Sequence, residues 1–212
     1  MSKVKAVIFD MDGVLIDAKD WHYEALNRAL GVFGFTISRY DHLVTYDGLP
    51  TRKKLEMLSK DQNLPVGLHG FLNDLKQCYT LELIHARCKP RFQHEFALSR
   101  LKAGGYTLAV ASNSVRQSIV LMMEKAALAP YLSAVVSNQD VARPKPDPEI
   151  YLKAFAVLGV APSEALVVED NPHGIAAARA SGAHVMVVED PNDVTWDRLV
   201  EQIALAEKKG TA

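Results

Sequence analysis

A short apolar run, Val4, Ala6, Val7, Ile8 and Phe9, ends abruptly on Asp10-Met11-Asp12-Gly13. The run is β-prone and lacks polar alternation, so it reads as a buried strand, and the carboxylates that follow are presented at its end. Asp10 and Asp12 are two residues apart, and in an extended backbone their side chains point the same way. Two like charges about 4 Å apart repel by roughly 4 kcal/mol at an effective dielectric near 20, so the pair needs a cation between its members or a shared proton. An Asp-Gly turn closing a strand looks the same locally, and the rest of the chain decides between the two.

After Asp17 the character changes. Trp21, Ala25, Leu26, Ala29, Leu30 and Phe33 recur at helical spacing between Lys19 and Phe33, and Gly31 and Gly34 close the run. A turn at Asp47-Gly48-Leu49-Pro50 precedes a second helical face (Leu55, Met57, Leu58), with Thr51 as the expected N-cap. A third helical pattern spans roughly 67–88. Trp21, Tyr23 and Phe33 are the expected core of this helical stretch. From Phe92 the rhythm becomes helix, strand, helix, strand. Helices are expected over 92–102, 114–127, from Asp147-Pro148, and over 175–180, with strands over 106–111, 134–136, 165–168 and 184–188. Short apolar strands alternating with helices specify an α/β fold: a doubly wound, Rossmann-like parallel sheet. Its core takes residues 1–17 and 91–212, and a small α-helical domain, 18–90, is inserted after the first strand.

In such sheets, ligands bind at the carboxyl ends of the strands. Four expected strands end in Asp10-Met11-Asp12, Ser112-Asn113-Ser114, Ser137-Asn138-Gln139-Asp140 and Glu169-Asp170-Asn171. Turn chemistry accounts for one such ending more readily than for four at one rim. Asp10, Asp12, Glu169 and Asp170 are hard oxygen donors, a set that suits Mg²⁺ shared with a substrate phosphate. Lys145 lies in the proline-stiffened turn Arg143-Pro144-Lys145-Pro146-Asp147-Pro148. Carboxylates, a divalent ion, one lysine and a serine hydroxyl outline a phosphoryl-transfer site. There is no GxxxxGK[ST] loop to hold a nucleotide.

Composition narrows the partners. A formal net charge of -1 gives no general attraction to nucleic acid or to an anionic membrane. No apolar stretch approaches the ~20 residues of a membrane span, and no signal-like h-region opens the chain, so a cytoplasmic location is expected. Cys78 and Cys88 form no CxxC pair and are expected to be structural thiols.

Taken together, Asp10-Met11-Asp12-Gly13-Val14-Leu15-Ile16-Asp17, Val110-Ala111-Ser112-Asn113-Ser114, Lys145-Pro146-Asp147-Pro148 and Val168-Glu169-Asp170-Asn171-Pro172-His173-Gly174 resemble the motifs of the haloacid dehalogenase superfamily. The resemblance is to the branch with a helical cap that includes phosphoglycolate phosphatase and β-phosphoglucomutase. It implies a phosphatase in which Asp10 attacks phosphorus to form an aspartyl-phosphate, and Asp12 protonates the leaving oxygen and then deprotonates water. It implies Mg²⁺ bound by Asp170, the Asp10 side chain and the Asp12 main-chain carbonyl, with Glu169 in or beside that set. Ser112 and Lys145 would hold the phosphoryl oxygens, and Asn113 would add its backbone N–H. An acid at Asp12 speaks against carbon–halogen and carbon–phosphorus cleavage.

The sequence also departs from the pattern. Ala18 stands where relatives often have Ser or Thr, Val115 where mutases and glycolate-type phosphatases tend to have lysine, and Lys89-Pro90-Arg91 where Pro-Gly is usual. The resemblance places substrate recognition in the cap, with His22 and Arg52 as candidates. The expected partner is a small phosphorylated metabolite such as a sugar phosphate, handled by a monomer or weak homo-oligomer. A phosphomutase of the β-phosphoglucomutase type is the alternative, separated from hydrolysis by how well the cap excludes water.

Overall fold

The computed structural model describes residues 3–209. It comprises two compact units, one formed by the chain up to Asp17 and again from Lys89, the other by Ala18–Cys88. In chain order the elements are β1 (Ala6–Phe9), α1 (Lys19–Gly31), the short α2 (Arg39–Asp41), α3 (Thr51–Asp61), α4 (His69–Arg87), α5 (Phe92–Ala103), β2 (Thr107–Ala111), α6 (Arg116–Lys125), β3 (Ala134–Val136), α7 (Glu149–Leu158), β4 (Ala165–Glu169), α8 (Pro172–Ala180), β5 (His184–Val187) and α9 (Trp196–Lys209).

The five strands form one parallel sheet in the order β3-β2-β1-β4-β5. β1 is central, flanked by β2 (Ile8 opposite Ala109) and β4 (Ile8 opposite Val167). Both faces of β1 are sealed, which is why its sequence shows no polar alternation. Ala6 and Ile8 pack with Ala109, Val167 and the α7 and α8 residues Tyr151, Ala154 and Ala177. Val7 and Phe9, on the opposite face, are equally buried.

Several helix starts differ from the sequence reading. α6 begins at Arg116, two residues later than expected, so Ser112 to Val115 form a loop after β2. α8 begins at Pro172, three residues earlier, because Asn171 caps it by accepting the His173 N–H at 3.0 Å. Asp147 accepts the Glu149 N–H at 3.0 Å, but the residue at the N-cap of α7 is Pro148.

In the helical unit, Thr51 is the first residue of α3 and not its cap, and Pro50 precedes it. The hydrophobic cluster there is Leu26, Ala29, Leu30, Ile37, Tyr46, Leu55, Leu58, Leu64 and Leu72. The expected aromatic core is therefore a correction: Trp21 and Tyr23 are half-buried, and Phe33 is 40% exposed, meeting Phe71 edge-on at the surface. Aliphatic side chains and Tyr46 fill the space between α1, α3 and α4, and the rings of Trp21, Tyr23 and Phe33 are not part of that cluster. His42–Tyr46 forms a π-helical turn that no periodicity announced. Cys78 and Cys88 are both free thiols; Cys88 is buried, but Cys78 is exposed and packs no core.

Candidate active site

The site is built where β1, β2 and β4 end. Asp10 follows β1 directly, and its N–H bonds Val168 O at 2.9 Å, so the sheet's ladder continues to the carboxylate itself. The chain then turns tightly: Met11 O accepts the N–H groups of Val14, Leu15 and Ile16, and Gly13 donates to Ile16 O at 2.7 Å. Gly13 supplies the left-handed conformation this loop needs, at φ 90°.

Lys145 is buried and spends all three ammonium protons within the core. Its Nζ meets Asp10 Oδ1 at 2.6 Å, Glu169 Oε1 at 2.6 Å and Ala111 O at 2.9 Å. The turn that carries it, with a cis Lys145–Pro146 peptide, is pinned by Asn113, whose Oδ1 accepts the Lys145 N–H at 3.1 Å and whose Nδ2 donates to Lys145 O at 3.4 Å.

Glu169 is held from four directions. Oε1 accepts from Lys145 and from the Tyr151 hydroxyl at 2.6 Å, and Oε2 accepts the N–H groups of Asp170 at 3.0 Å and Asn171 at 3.3 Å. Burial, together with the charges of Glu169 and Asp10, pushes the Tyr151 phenol well above its usual range, so it remains a donor. Its ring also lies 4.8 Å from Lys145 Nζ. Neither Tyr151 nor the side chain of Asn113 was singled out from sequence for these roles. The available signal was one tyrosine on the apolar face of α7, which burial obliges to find a partner.

Asp10, Glu169 and Asp170 each offer a carboxylate oxygen, and the three lie within 4.8 Å of one another. Burial pushes the Asp10 carboxyl well above its usual range; Lys145 opposes this, and the charges of Glu169, Asp170 and Asp12 add to it. For Lys145 the balance runs the other way: burial lowers its pKa, but Asp10 and Glu169 carry it above the usual value. One ammonium against this many carboxylates leaves an excess of buried negative charge. An all-oxygen donor set with that excess fits a hard divalent cation such as Mg²⁺.

Ser112 and Asp12 complete the rim. Ser112 Oγ accepts the Ser114 N–H at 3.1 Å, and Ser114 Oγ donates to Asp12 Oδ2 at 2.9 Å. The structure thus brings Asp10, Asp12, Ser112, Asn113, Glu169 and Asp170, at the ends of β1, β2 and β4, together with Lys145 from the turn before α7. Of the fourth ending expected at the rim, Asn138 reaches it through an N–H to Ser114 O at 3.3 Å, but the Asp140 carboxylate does not join them. Asp140 accepts from Arg116 at 2.6 Å and Ser137 at 2.7 Å; burial raises its pKa, but these donors hold it at about 2. It caps a turn after β3, on the far side of β2 from β1.

His22 and Arg52 lie in the helical unit. His22 Nδ1 is 3.3 Å from Lys76 Nζ. Arg52 is 89% exposed and pairs with Glu56 at 3.1 Å, one turn along α3. Among the described residues, no helix is long and apolar enough to cross a membrane.

Comparison with known proteins gives the arrangement a context. The family model for haloacid dehalogenase-like hydrolases matches residues 7–188. The chain is 31% identical to a phosphorylated carbohydrates phosphatase of Thermotoga maritima, over 90% of this chain and 88% of that protein. It is 28% identical to a phosphoglycolate phosphatase of Aquifex aeolicus, over 84% of this chain and 82% of the relative. The crystal structure of β-phosphoglucomutase from Clostridium difficile superposes with a TM-score of 0.83 at 20% identity, covering 95% of this chain and 97% of that one, a likeness of fold.

Proposed function

The chain belongs to the haloacid dehalogenase-like hydrolases, and from that premise we propose that it is a Mg²⁺-dependent phosphatase acting on a small phosphorylated metabolite through an aspartyl-phosphate. The observation that carries this reading is the position of Lys145, 2.6 Å from both Asp10 and Glu169, beside three carboxylates whose oxygens lie within 4.8 Å of one another. Asp10 and Asp170 side chains and the Asp12 main-chain carbonyl would hold the ion. Glu169, already accepting four hydrogen bonds, serves better as the anchor of Lys145 just outside them. The chemistry such an ion would supply is neutralisation of the acidic charge and of the charge that develops on the transferring phosphoryl group.

The chain's own residues supply the remaining steps. Lys145 exchanges its contact with Asp10 Oδ1 for a phosphoryl oxygen, which frees that carboxylate to attack phosphorus. Ser112 accepts from Ser114 N–H, an arrangement that directs its own hydroxyl proton toward the phosphoryl group. As the Asp10–phosphorus bond forms and the ester P–O bond breaks, Asp12 protonates the departing oxygen. Asp12 then takes a proton from water as that water attacks phosphorus, releasing inorganic phosphate and restoring Asp10.

Similarity to the Thermotoga protein favours a phosphorylated carbohydrate as the substrate class. The test is a panel of phosphorylated metabolites with Mg²⁺, followed by phosphate release. Release from one or a few sugar phosphates is expected. Isomerised product without release would instead assign a phosphomutase, and turnover of nothing in the panel, generic aryl phosphates included, would overturn the enzymatic reading.

A further inference from the structure

Asp12 needs a fixed side chain to deliver a proton to one oxygen atom, and a free aspartate has several rotamers and two equivalent oxygens. The contact that removes this freedom comes from a residue 102 positions away. Ser114 Oγ donates to Asp12 Oδ2 at 2.9 Å. Ser114 is itself fixed at both ends of its backbone: its N–H bonds Ser112 Oγ at 3.1 Å, and its carbonyl accepts the Asn138 N–H at 3.3 Å. It sits in the loop between β2 and α6, and the late start of α6 at Arg116 leaves it non-helical.

We propose that Ser114 is a positioning residue for the general acid: it selects the Asp12 rotamer and reserves Oδ2 as an acceptor, so that the transferable proton resides on Oδ1. This rests on the reading of Asp12 as the acid. In the step it serves, the electron pair of the breaking P–O bond stays with the departing oxygen, which takes the Asp12 proton, while the new P–O bond forms to Asp10. The Ser114 hydroxyl keeps its own proton throughout.

The consequence is a dependence on the leaving group. An alkoxide cannot depart without a proton, whereas p-nitrophenolate departs as a stable anion. For Ser114→Ala, kcat/KM for an alkyl phosphate taken from the metabolite panel is expected to fall about 10- to 100-fold, and for p-nitrophenyl phosphate by no more than about threefold. Ser114→Thr, which retains the hydroxyl, should restore most of the alkyl rate, and it keeps the test usable should the alanine variant fold poorly. Losses of equal size on both esters, or no rescue by threonine, would overturn the assignment. Asp12→Asn in the same assay separates the two levels. A selective loss in Asp12→Asn with none in Ser114→Ala removes only the role of Ser114, whereas an unselective loss in Asp12→Asn removes the acid itself.

Discussion

Gly174 and Glu169 share a space that admits no further atom. A Cβ placed on Gly174 would fall 1.7 Å from Glu169 Oε1, 2.1 Å from its Cδ and 2.4 Å from Oε2. Glu169 cannot retreat, because Lys145, Tyr151 and two backbone N–H groups hold its carboxylate. The glycine in the first turn of α8 is therefore part of how the lysine is aimed.

Gly174→Ala is expected to displace Glu169 and with it Lys145. Activity should fall on the order of 100-fold, as misplacement by about 1 Å can produce. The crowding should also cost about 1–3 kcal/mol of stability. Steady-state kinetics alongside denaturant unfolding checks both, and wild-type turnover in a folded Gly174→Ala protein would contradict the linkage.

Asp10→Asn nearly preserves shape but removes the proposed nucleophile. Turnover should drop to less than about a hundredth of wild type while circular dichroism stays unchanged. A variant retaining more than that would argue against a covalent route through Asp10.

Mg²⁺ should stabilise the folded protein, since the site proposed for it is one that only folding assembles. At about 100 times its dissociation constant an ion adds about 2.7 kcal/mol, or roughly 5–10 °C in Tm for a chain of this size. Thermal melts with EDTA and with MgCl₂ should show this increment in wild type, and Asp170→Ala should lose it. An identical metal titration in the two proteins would remove Asp170 from the ligand set.

Acid should weaken the helical unit through His42. This residue is 1% exposed, neither ring nitrogen has a hydrogen-bond partner among the described residues, and its ring lies 5.0 Å from that of Tyr23. Burial, and then the charge of Lys54, lower its pKa from 6.5 to about 4, with Asp47 opposing and Arg39 and His22 adding to the fall. The unfolded chain therefore binds a proton more readily than the folded one. Stability is complete above the unfolded value and declines as pH falls through 6.5 toward about 4, by on the order of 3 kcal/mol. Urea unfolding from pH 7 to pH 4.5 tests this, with His42→Phe expected to show a flatter profile than wild type.

Local residue patterns were enough to read the strands, the two-sided burial of β1 and β4 and the carboxylates at their ends. Each of these is written in residues a few positions apart: the unbroken run to Phe9, the glycines after helices, the aspartates two apart. The same local reading misjudged what depends on packing. Phe33 has the spacing of a core residue yet lies at the surface, and Asp140 has the position of a rim carboxylate yet is consumed by Arg116 and Ser137.

How the site is held emerges only on folding. The contacts that do this join residues far apart in the chain, Ser114 to Asp12 across 102 positions and Lys145 to Asp10 across 135. No periodicity encodes them. They follow from the order β3-β2-β1-β4-β5, which sets the ends of β2 and β4 on either side of β1 and so fixes which polar groups, shut away from water, must satisfy one another.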